Sequence, residues 1–441
     1  MKKITLLLVV ALVAATSWAQ NPTVTKVWEF SAAPTSDVGG LPGYIKTSTA
    51  DRCRGMAYGK IGTEKVLVVA TRETANAVHV IDASNGTILR QLNISTLTGG
   101  TFTLNDVAIS TDGKVLICNL SAGTAGTFKV YKWDNILNTT VPTVAISFAL
   151  TADASRFGDH FVVTGSISAG TAKVYAASQL KVGGAGVNLN SQKILVWSMI
   201  EDTNNPGTYI FNQTPQEIFS VVNAGSAWNL PSVCPIPNGK FLYKANGSSM
   251  FVLNNDLSLE GTTVSTSIID GSTNGYKFLK TRTGGAVDTT YIVGFRYSDN
   301  RAMIYKLPQY TYTSMVSAAF SNSLGASGNA NGTGRVCVQD DEEGTNVYVL
   351  ASNLGIGKYS VVWPSTPTSL NTTKESLKFT QTTNTLKVQG TTPSTIELFN
   401  TLGQKVQSVI NRNELNISNL RGVHIVKVNV NGVTSTQKIN L

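Results

Sequence analysis

The feature that most constrains this chain is a strand, tight turn, strand unit that recurs along most of its length. Two copies are plainest: "LNDVAISTDGKVLICN" (Leu104–Asn119) and "NLPSVCPIPNGKFLYKAN" (Asn229–Asn246). Asp112-Gly113 in one and Asn238-Gly239 in the other supply the positive φ angles that a tight hairpin turn demands. Four looser copies fit the same frame: "RCRGMAYGKIGTEKVLVVATRE", "DHFVVTGSISAGTAKVYAAS", "YKFLKTRTGGAVDTTYIVGFRYS" and "GRVCVQDDEEGTNVYVLASN". A third strand rich in aliphatic and aromatic residues follows each pair ("AVHVID", "FKVYKW", "KILVWSMI", "MFVLNN", "AMIYKL", "KYSVVW"). Most copies add a fourth, clearest in "TILRQLNI" and "TVAISFAL". Four strands per repeat of roughly 45–70 residues is the pattern of a β-propeller blade.

The last copy stops at Trp363 after three strands, whereas "TVTKVWEFS" (Thr23–Ser31) precedes the first copy as an orphan. The arrangement predicts that this N-terminal strand completes the final blade. Closing the ring in that way removes a sheet edge that would otherwise invite aggregation. The count predicts six blades, or seven if the long third repeat hides another. Only 14% of residues are charged and no long stretch has helical periodicity, which agrees with an all-β fold.

The net charge of +9 raises nucleic-acid binding as a function, and its distribution excludes it. Lys2 and Lys3 contribute +2, and eight Lys or Arg against three Glu from Thr366 onward contribute +5, so the repeats carry only +2. A nucleic-acid binder concentrates basic residues on its working surface. At the N-terminus, Lys2-Lys3, an apolar run from Ile4 to Ala15 and Ser17-Trp18-Ala19 read as a secretory signal cleaved between Ala19 and Gln20. No later segment is apolar enough for a transmembrane helix. Cys53, Cys118, Cys234 and Cys337 are widely spaced, and the last three stand in apolar strands, so they read as free thiols of the core.

In a propeller the innermost strand of each blade begins at one mouth of the central channel, and the loops between second and third strands open on the same face. The repeats then put Arg52, Asp106, His160, Asn229, Lys277 and Arg335 at the inner strand starts. Arg72, Glu73, Asn119, Ser178, Asn246, Arg296 and Asn353 fall in the loops, with Trp228 beside them. From these the candidate ligand-binding residues are Arg52, Arg72, Glu73, Asp106, His160, Trp228, Asn246, Arg296 and Arg335. Arginines offer bidentate contacts to an anionic ligand and Trp228 a stacking surface.

Catalytic motifs are scarce. Among His79, His160 and His424 there is no HExxH and no paired spacing for a metal, and neither a GxSxG elbow nor a P-loop occurs. His79 alternates within a strand and reads as structural. Asp159-His160 at the mouth is the candidate catalytic pair, an Asp–His base. The acidic run Asp340–Glu343 lacks the ligand spacing of a calcium loop and reads as a solvated turn on the opposite face. No metal and no cofactor are implied.

Beyond the Pro/Ser/Thr-rich stretch after Trp363 come seven short alternating strands, which predict a small immunoglobulin-like sandwich. The domain expectation is a signal at 1–19, a propeller at 20–364, a linker at 365–370 and a C-terminal domain at 371–441.

Two resemblances add to this reading. "AVHVIDASNGTILRQLNI" (Ala77–Ile94) and "ISTDGKVLICN" resemble the repeats of bacterial surface and lactonase-like propellers, and the domain is similar to uncharacterised exported propellers of Bacteroidetes. The resemblance implies a fold and transfers no site. "IELFNTLGQKV", "ISNLRGVHIVKV" and the final "QKINL" resemble, in order, the C-terminal sorting domain of the type IX (Por) secretion system of Bacteroidetes. The matching residues are Leu402, Gly403, Gln404, Lys405, Val406, Gly422, Val423, Val426 and Lys438. His424 departs from the family, which usually has an aromatic there, most often Tyr. This resemblance implies passage across the outer membrane by the type IX machinery, removal of the tail, and release or surface attachment of the cargo. Together the readings give an exported propeller that binds a glycan or protein without catalysis. The alternative is a propeller hydrolase or lyase acting on extracellular polysaccharide or a lactone.

Overall fold

The computed structural model describes residues 21–45, 52–73, 75–123, 126–137, 139–150, 156–178, 191–222, 230–256, 258–283, 288–308, 311–326, 328–329, 331–364, 379–389, 395–430 and 433–441. The expected signal, the linker, Asn229 and Trp228 lie outside them. The chain divides into two units, Met1–Pro364 and Ser365–Leu441.

The first unit starts with β1 (Thr23–Ser31). A four-stranded antiparallel meander follows: β2 (Cys53–Ile61), β3 (Glu64–Thr71), β4 (Ala77–Asp82) and β5 (Ile88–Gln91). The second meander is β6 (Phe102–Ile109), β7 (Val115–Ala122), β8 (Thr127–Trp133) and β9 (Thr143–Ala149), with the short β10 (Arg156–Phe157) added to β7. The third runs β11 (Phe161–Thr164), β12 (Lys173–Ala177), β13 (Ser191–Glu201), β14 (Tyr209–Phe211) and β15 (Gln216–Val222), the last two both pairing with β13. The fourth is β16 (Ser232–Pro235), β17 (Phe241–Lys244), β18 (Met250–Leu253) and β19 (Leu259–Val264). The fifth is β20 (Thr273–Arg282), β21 (Thr289–Arg296), β22 (Arg301–Pro308) and β23 (Val316–Phe320). The sixth holds β24 (Gly334–Asp341), β25 (Gly344–Ala351) and β26 (Gly355–Val362), and β1 supplies its fourth strand.

The hairpins form where the turn chemistry puts them: Gly113 and Gly239 take φ of +78° and +83°. The first strands of the meanders touch in a closed circle, β2 on β6, β6 on β11, β11 on β16, β16 on β20, β20 on β24 and β24 back on β2. Packing closes the same circle. Each of six apolar clusters lies between two consecutive sheets. In the cluster joining the last sheet to the first, Trp28, Tyr348 and Leu350 meet Leu67, Val69 and Ile81. Sheets covered on both faces need apolar residues at successive positions, which is why β7 and β25 read as near-continuous apolar runs. Truncating Trp133 or Trp197, both fully buried, to alanine would cost about 3–5 kcal/mol. This is a β-propeller architecture.

The N-terminal strand closes the ring as its orphan status predicts. β1 pairs antiparallel with β26 from Thr23 opposite Val362 to Ser31 opposite Gly355. Its Glu29 is fully buried and accepts hydrogen bonds from Ser31 Oγ (2.6 Å), Thr35 Oγ1 (2.8 Å) and the Tyr359 hydroxyl (2.7 Å). A buried carboxylate survives only when its oxygens are satisfied in this way.

Among its described residues the second unit has seven strands in two sheets. β27 (Phe379–Gln381), β28 (Thr385–Val388) and β31 (Glu414–Asn416) form one; β29 (Thr395–Phe399), β30 (Lys405–Ile410), β32 (Val423–Val430) and β33 (Val433–Asn440) form the other. Leu386, Ile396, Leu398, Leu415, Val426 and Val428 fill the core between them. "TIELFNTLGQKVQ" is the β29–β30 hairpin, turned at Gly403 with φ +78°.

Candidate functional site at the channel mouth

The inner strands narrow toward their starts, and there four of the expected mouth residues meet. Arg335, the second residue of β24, reaches across the ring to β6 and to the residues before β11. Its Nε donates to Asp106 Oδ1 (2.8 Å), Nη1 to the Gly334 carbonyl (2.9 Å) and to His160 Nε2 (3.1 Å), and Nη2 to the Asp159 carbonyl. A guanidinium only donates, so His160 Nε2 is the acceptor and the ring's proton sits on Nδ1. Asp106 Oδ2 accepts from the Phe161 amide (3.0 Å). Asp159 is clamped by Arg156 Nε and Nη2, each at 2.7 Å, with Arg54 Nη1 at 3.9 Å. Asn105 Nδ2 donates to the Gly158 carbonyl (2.6 Å) and so fixes the turn that delivers Asp159 and His160.

Arg335, Asp106, Asp159 and His160 are 4%, 1%, 3% and 6% exposed. The void beside them measures about 10 Å³, room for no more than one water. Burial, reinforced by the charges of Arg335, Lys277 and Arg54, holds the His160 imidazole well below its ordinary range, so it is neutral. Two aspartates, a histidine and an arginine thus converge here in a closed cluster in which the carboxylates bond to arginines and, among the described residues, neither bonds to His160.

The remaining candidates lie around this cluster in separate settings. Arg52 is exposed and donates from Nη1 to the Glu73 carbonyl (3.0 Å). Arg72 stacks its guanidinium 3.6 Å over the Phe102 ring; burial and the neighbouring Arg54 and Arg52 lower its pKa to about 10. Glu73 is buried and lines a side cavity of about 350 Å³ with Tyr44 and His79, whose rings stand 5.0 Å apart. Burial lowers the pKa of His79. Asn246 accepts from Asn274 Nδ2, and Arg296 is held by Asp299. Asn119 bonds its own hairpin, Ser178 Oγ accepts from the Lys193 amide and Asn353 Nδ2 donates to the Gly328 carbonyl. The acidic turn Asp340–Glu343 is not simply solvated: Lys65 pairs with Asp341 and Glu343, and Lys280 with Asp340. Cys53, Cys118, Cys234 and Cys337 are all buried and free.

Lys277 departs from its expected position. β20 begins at Thr273, and bulges around Asn274–Lys277 and Phe278–Lys280 carry Lys277 inside the channel rather than to its rim. Arg54 and Arg156 belong to the mouth without having been singled out by sequence. Arg54 sits at a register shift of β2 between Cys53 and Gly55, where a period of two starting from Arg52 does not hold. Among the described residues no three His, Cys, Asp or Glu side chains gather to hold a metal, and no helix is long and apolar enough to cross a membrane.

In the second unit Leu402 and Val406 are exposed, Val426 is buried, and Lys405 pairs with Glu397 (3.2 Å). Gln404 is tied to Asn400 across the turn, and Val423 pairs with Asn440. Gly422 exchanges both backbone hydrogen bonds with Leu441, and Lys438 stands opposite Ile425. His424 is buried with Nδ1 3.1 Å from the Gly422 carbonyl.

No family model matches the chain, and no curated protein does. Solved structures do. A DUF4623 family protein from Bacteroides eggerthii is 15% identical over 71% of this chain and 72% of its own, with a TM-score of 0.52, a likeness of fold. PorZ, a surface component of the type IX secretion system of Porphyromonas gingivalis, is 12% identical over 88% of this chain and 51% of its own, with a TM-score of 0.39. An α-L-arabinofuranosidase from Fusarium graminearum is 10% identical over 76% and 97%, with a TM-score of 0.46.

Proposed function

We propose that the chain is an exported, six-bladed propeller that binds an extracellular glycan or protein without transforming it, delivered by a C-terminal sorting domain. One observation carries the non-catalytic reading: the titratable groups a hydrolase or lyase would use at the mouth are already spent on one another. Asp159 is clamped by Arg156, Asp106 by Arg335, and His160 Nε2 accepts from Arg335. A general base must come within hydrogen-bond reach of a substrate proton, and these have neither a free acceptor nor space beside them. What stays available outside the cluster is cationic: exposed Arg52 and partly buried Arg72 over Phe102. That pair suits carboxylate or sulfate groups, which accept bidentate hydrogen bonds from guanidinium.

A glycan array with neutral, uronic and sulfated members tests this. The expected result is retention of anionic glycans, weakened at least about tenfold in an Arg52→Ala/Arg72→Ala variant. Depolymerisation of any polysaccharide by the purified chain would overturn the binding reading. The export reading rests on the signal and on the three C-terminal motifs in order. Deleting Asn371–Leu441 is expected to leave the propeller in the periplasm; unchanged surface or medium levels would refute it.

A further inference from the structure

The channel opens at the end opposite the mouth into a cavity of about 480 Å³. All six inner strands wall it, through Met56, Val107, Val162, Cys234, Lys277 and Cys337. Met56, Val107, Val162 and Lys277 also line the small void beside Arg335. The two spaces are therefore one channel, shut at one end by the Arg335 cluster and open at the other. It is a blind pocket of ligand size rather than a pore.

Its chemistry is one-sided. The wall is mostly aliphatic, aromatic or thiol, with Thr111 and Thr164 adding hydroxyls. Among the described residues Lys277 is the single charged one lining it. It is partly buried, and among the described residues no carboxylate or hydrogen-bond acceptor pairs with its amine. The contrast with Lys26, Lys65, Lys240 and Lys280 is direct, since each of those has an acidic partner within 2.8 Å. A cation drawn part-way from water without a counter-charge favours any anion that can reach it. The anion must also bring apolar surface to cover the rest of the wall.

We propose that this pocket binds a small amphiphilic monocarboxylate, its carboxylate on Lys277 and its apolar body along the partly exposed wall made by Tyr58, Ile109, Val163 and Phe278. The site is separate from the arginine-rimmed mouth, so either can fail without the other.

The test is calorimetric titration of the purified chain with sodium octanoate, its neutral counterpart octanamide, and acetate. Octanoate is expected to bind. Octanamide and acetate are expected to bind at least about tenfold more weakly, one lacking the charge and the other the apolar body. Lys277→Met keeps the side chain's length and removes the charge; it should cost octanoate about 10- to 100-fold in affinity. Lys277→Gln serves the same purpose if the methionine variant does not fold. No heat with octanoate at millimolar concentration would overturn the proposal. So would equal binding of octanoate and octanamide, or octanoate affinity unchanged in the variant, since either leaves Lys277 a solvated lysine in an apolar channel.

Discussion

At one end of the channel Arg335, Asp106, His160 and Asp159 are no more than 6% exposed and bonded to one another; at the other, Lys277 faces a cavity of about 480 Å³ with no acidic partner among the described residues. The same six strands build both ends. Near their starts they converge, and charged side chains of β24 and β6, which are not neighbours in the ring, come within 3 Å. Toward their ends they diverge, and one lysine is left facing space. Converging charges in a dry site must neutralise one another, whereas a lone charge in an open one stays available. Polarity alone therefore does not mark the working end of a propeller channel. The closed end holds more ionisable groups than the open end and has less room to use them.

If the closed end is structural, breaking it should be felt as stability. Arg335→Met leaves Asp106 buried without its counter-ion and is expected to cost about 3–5 kcal/mol, read by urea or thermal unfolding. Adding Asp106→Asn removes the stranded charge while keeping an acceptor for the Phe161 amide, so the double variant should recover most of that loss. A loss below about 1 kcal/mol in the single variant would mean that the cluster is wet and the mouth open. The pH dependence gives a smaller effect. His160 is neutral in the fold and protonates in the unfolded chain, so below pH about 6.5 the unfolded state binds more protons. The stability it allows is complete above that pH and lost as pH falls below it, by at most about 1.4 kcal/mol per pH unit. His160→Gln should flatten the fall between pH 6.5 and 5. An identical slope in the variant would show that the ring is protonated in the fold.

The difference between the ends also explains what sequence could reveal. The Asp-Gly and Asn-Gly hairpins and the unpaired Thr23–Ser31 strand are local signals, and local signals set the meanders and the closing strand. The residue types at the mouth are legible in the same way where they sit at a strand start, as Arg335 and His160 do; Asp106 lies four residues into β6, after a register shift. Their mutual pairing is not legible: Arg335 is 229 residues from Asp106 and 175 from His160. Only the diameter of the closed ring decides whether such residues face water or each other. Lys277 was misplaced for a different reason. The polar stretch before it, "GSTNG", carries no apolar alternation to mark the start of β20, and a bulged strand does not keep the period of two.

Lys277 joins the two ends and gives the smallest effect. Its charge, third in order after burial and Arg335, helps hold His160 neutral. Lys277→Met should therefore raise the imidazole's pKa toward its ordinary value; the acid-side loss of stability still begins near pH about 6.5, where the unfolded chain protonates, but ends at a higher pH and is smaller in total. At pH 7.5 the same substitution should change stability by no more than about 0.5 kcal/mol, because it breaks no ion pair. Chemical denaturation at pH 7.5 and at steps down to the pH where the acid-side loss levels off reads both quantities. A neutral-pH loss of several kcal/mol would mean that Lys277 has a structural partner, and the open end would then resemble the closed one. A smaller acid-side loss with stability unchanged at pH 7.5 would show the reverse: one continuous channel, structural at its narrow end, with its free charge kept where there is room for a ligand.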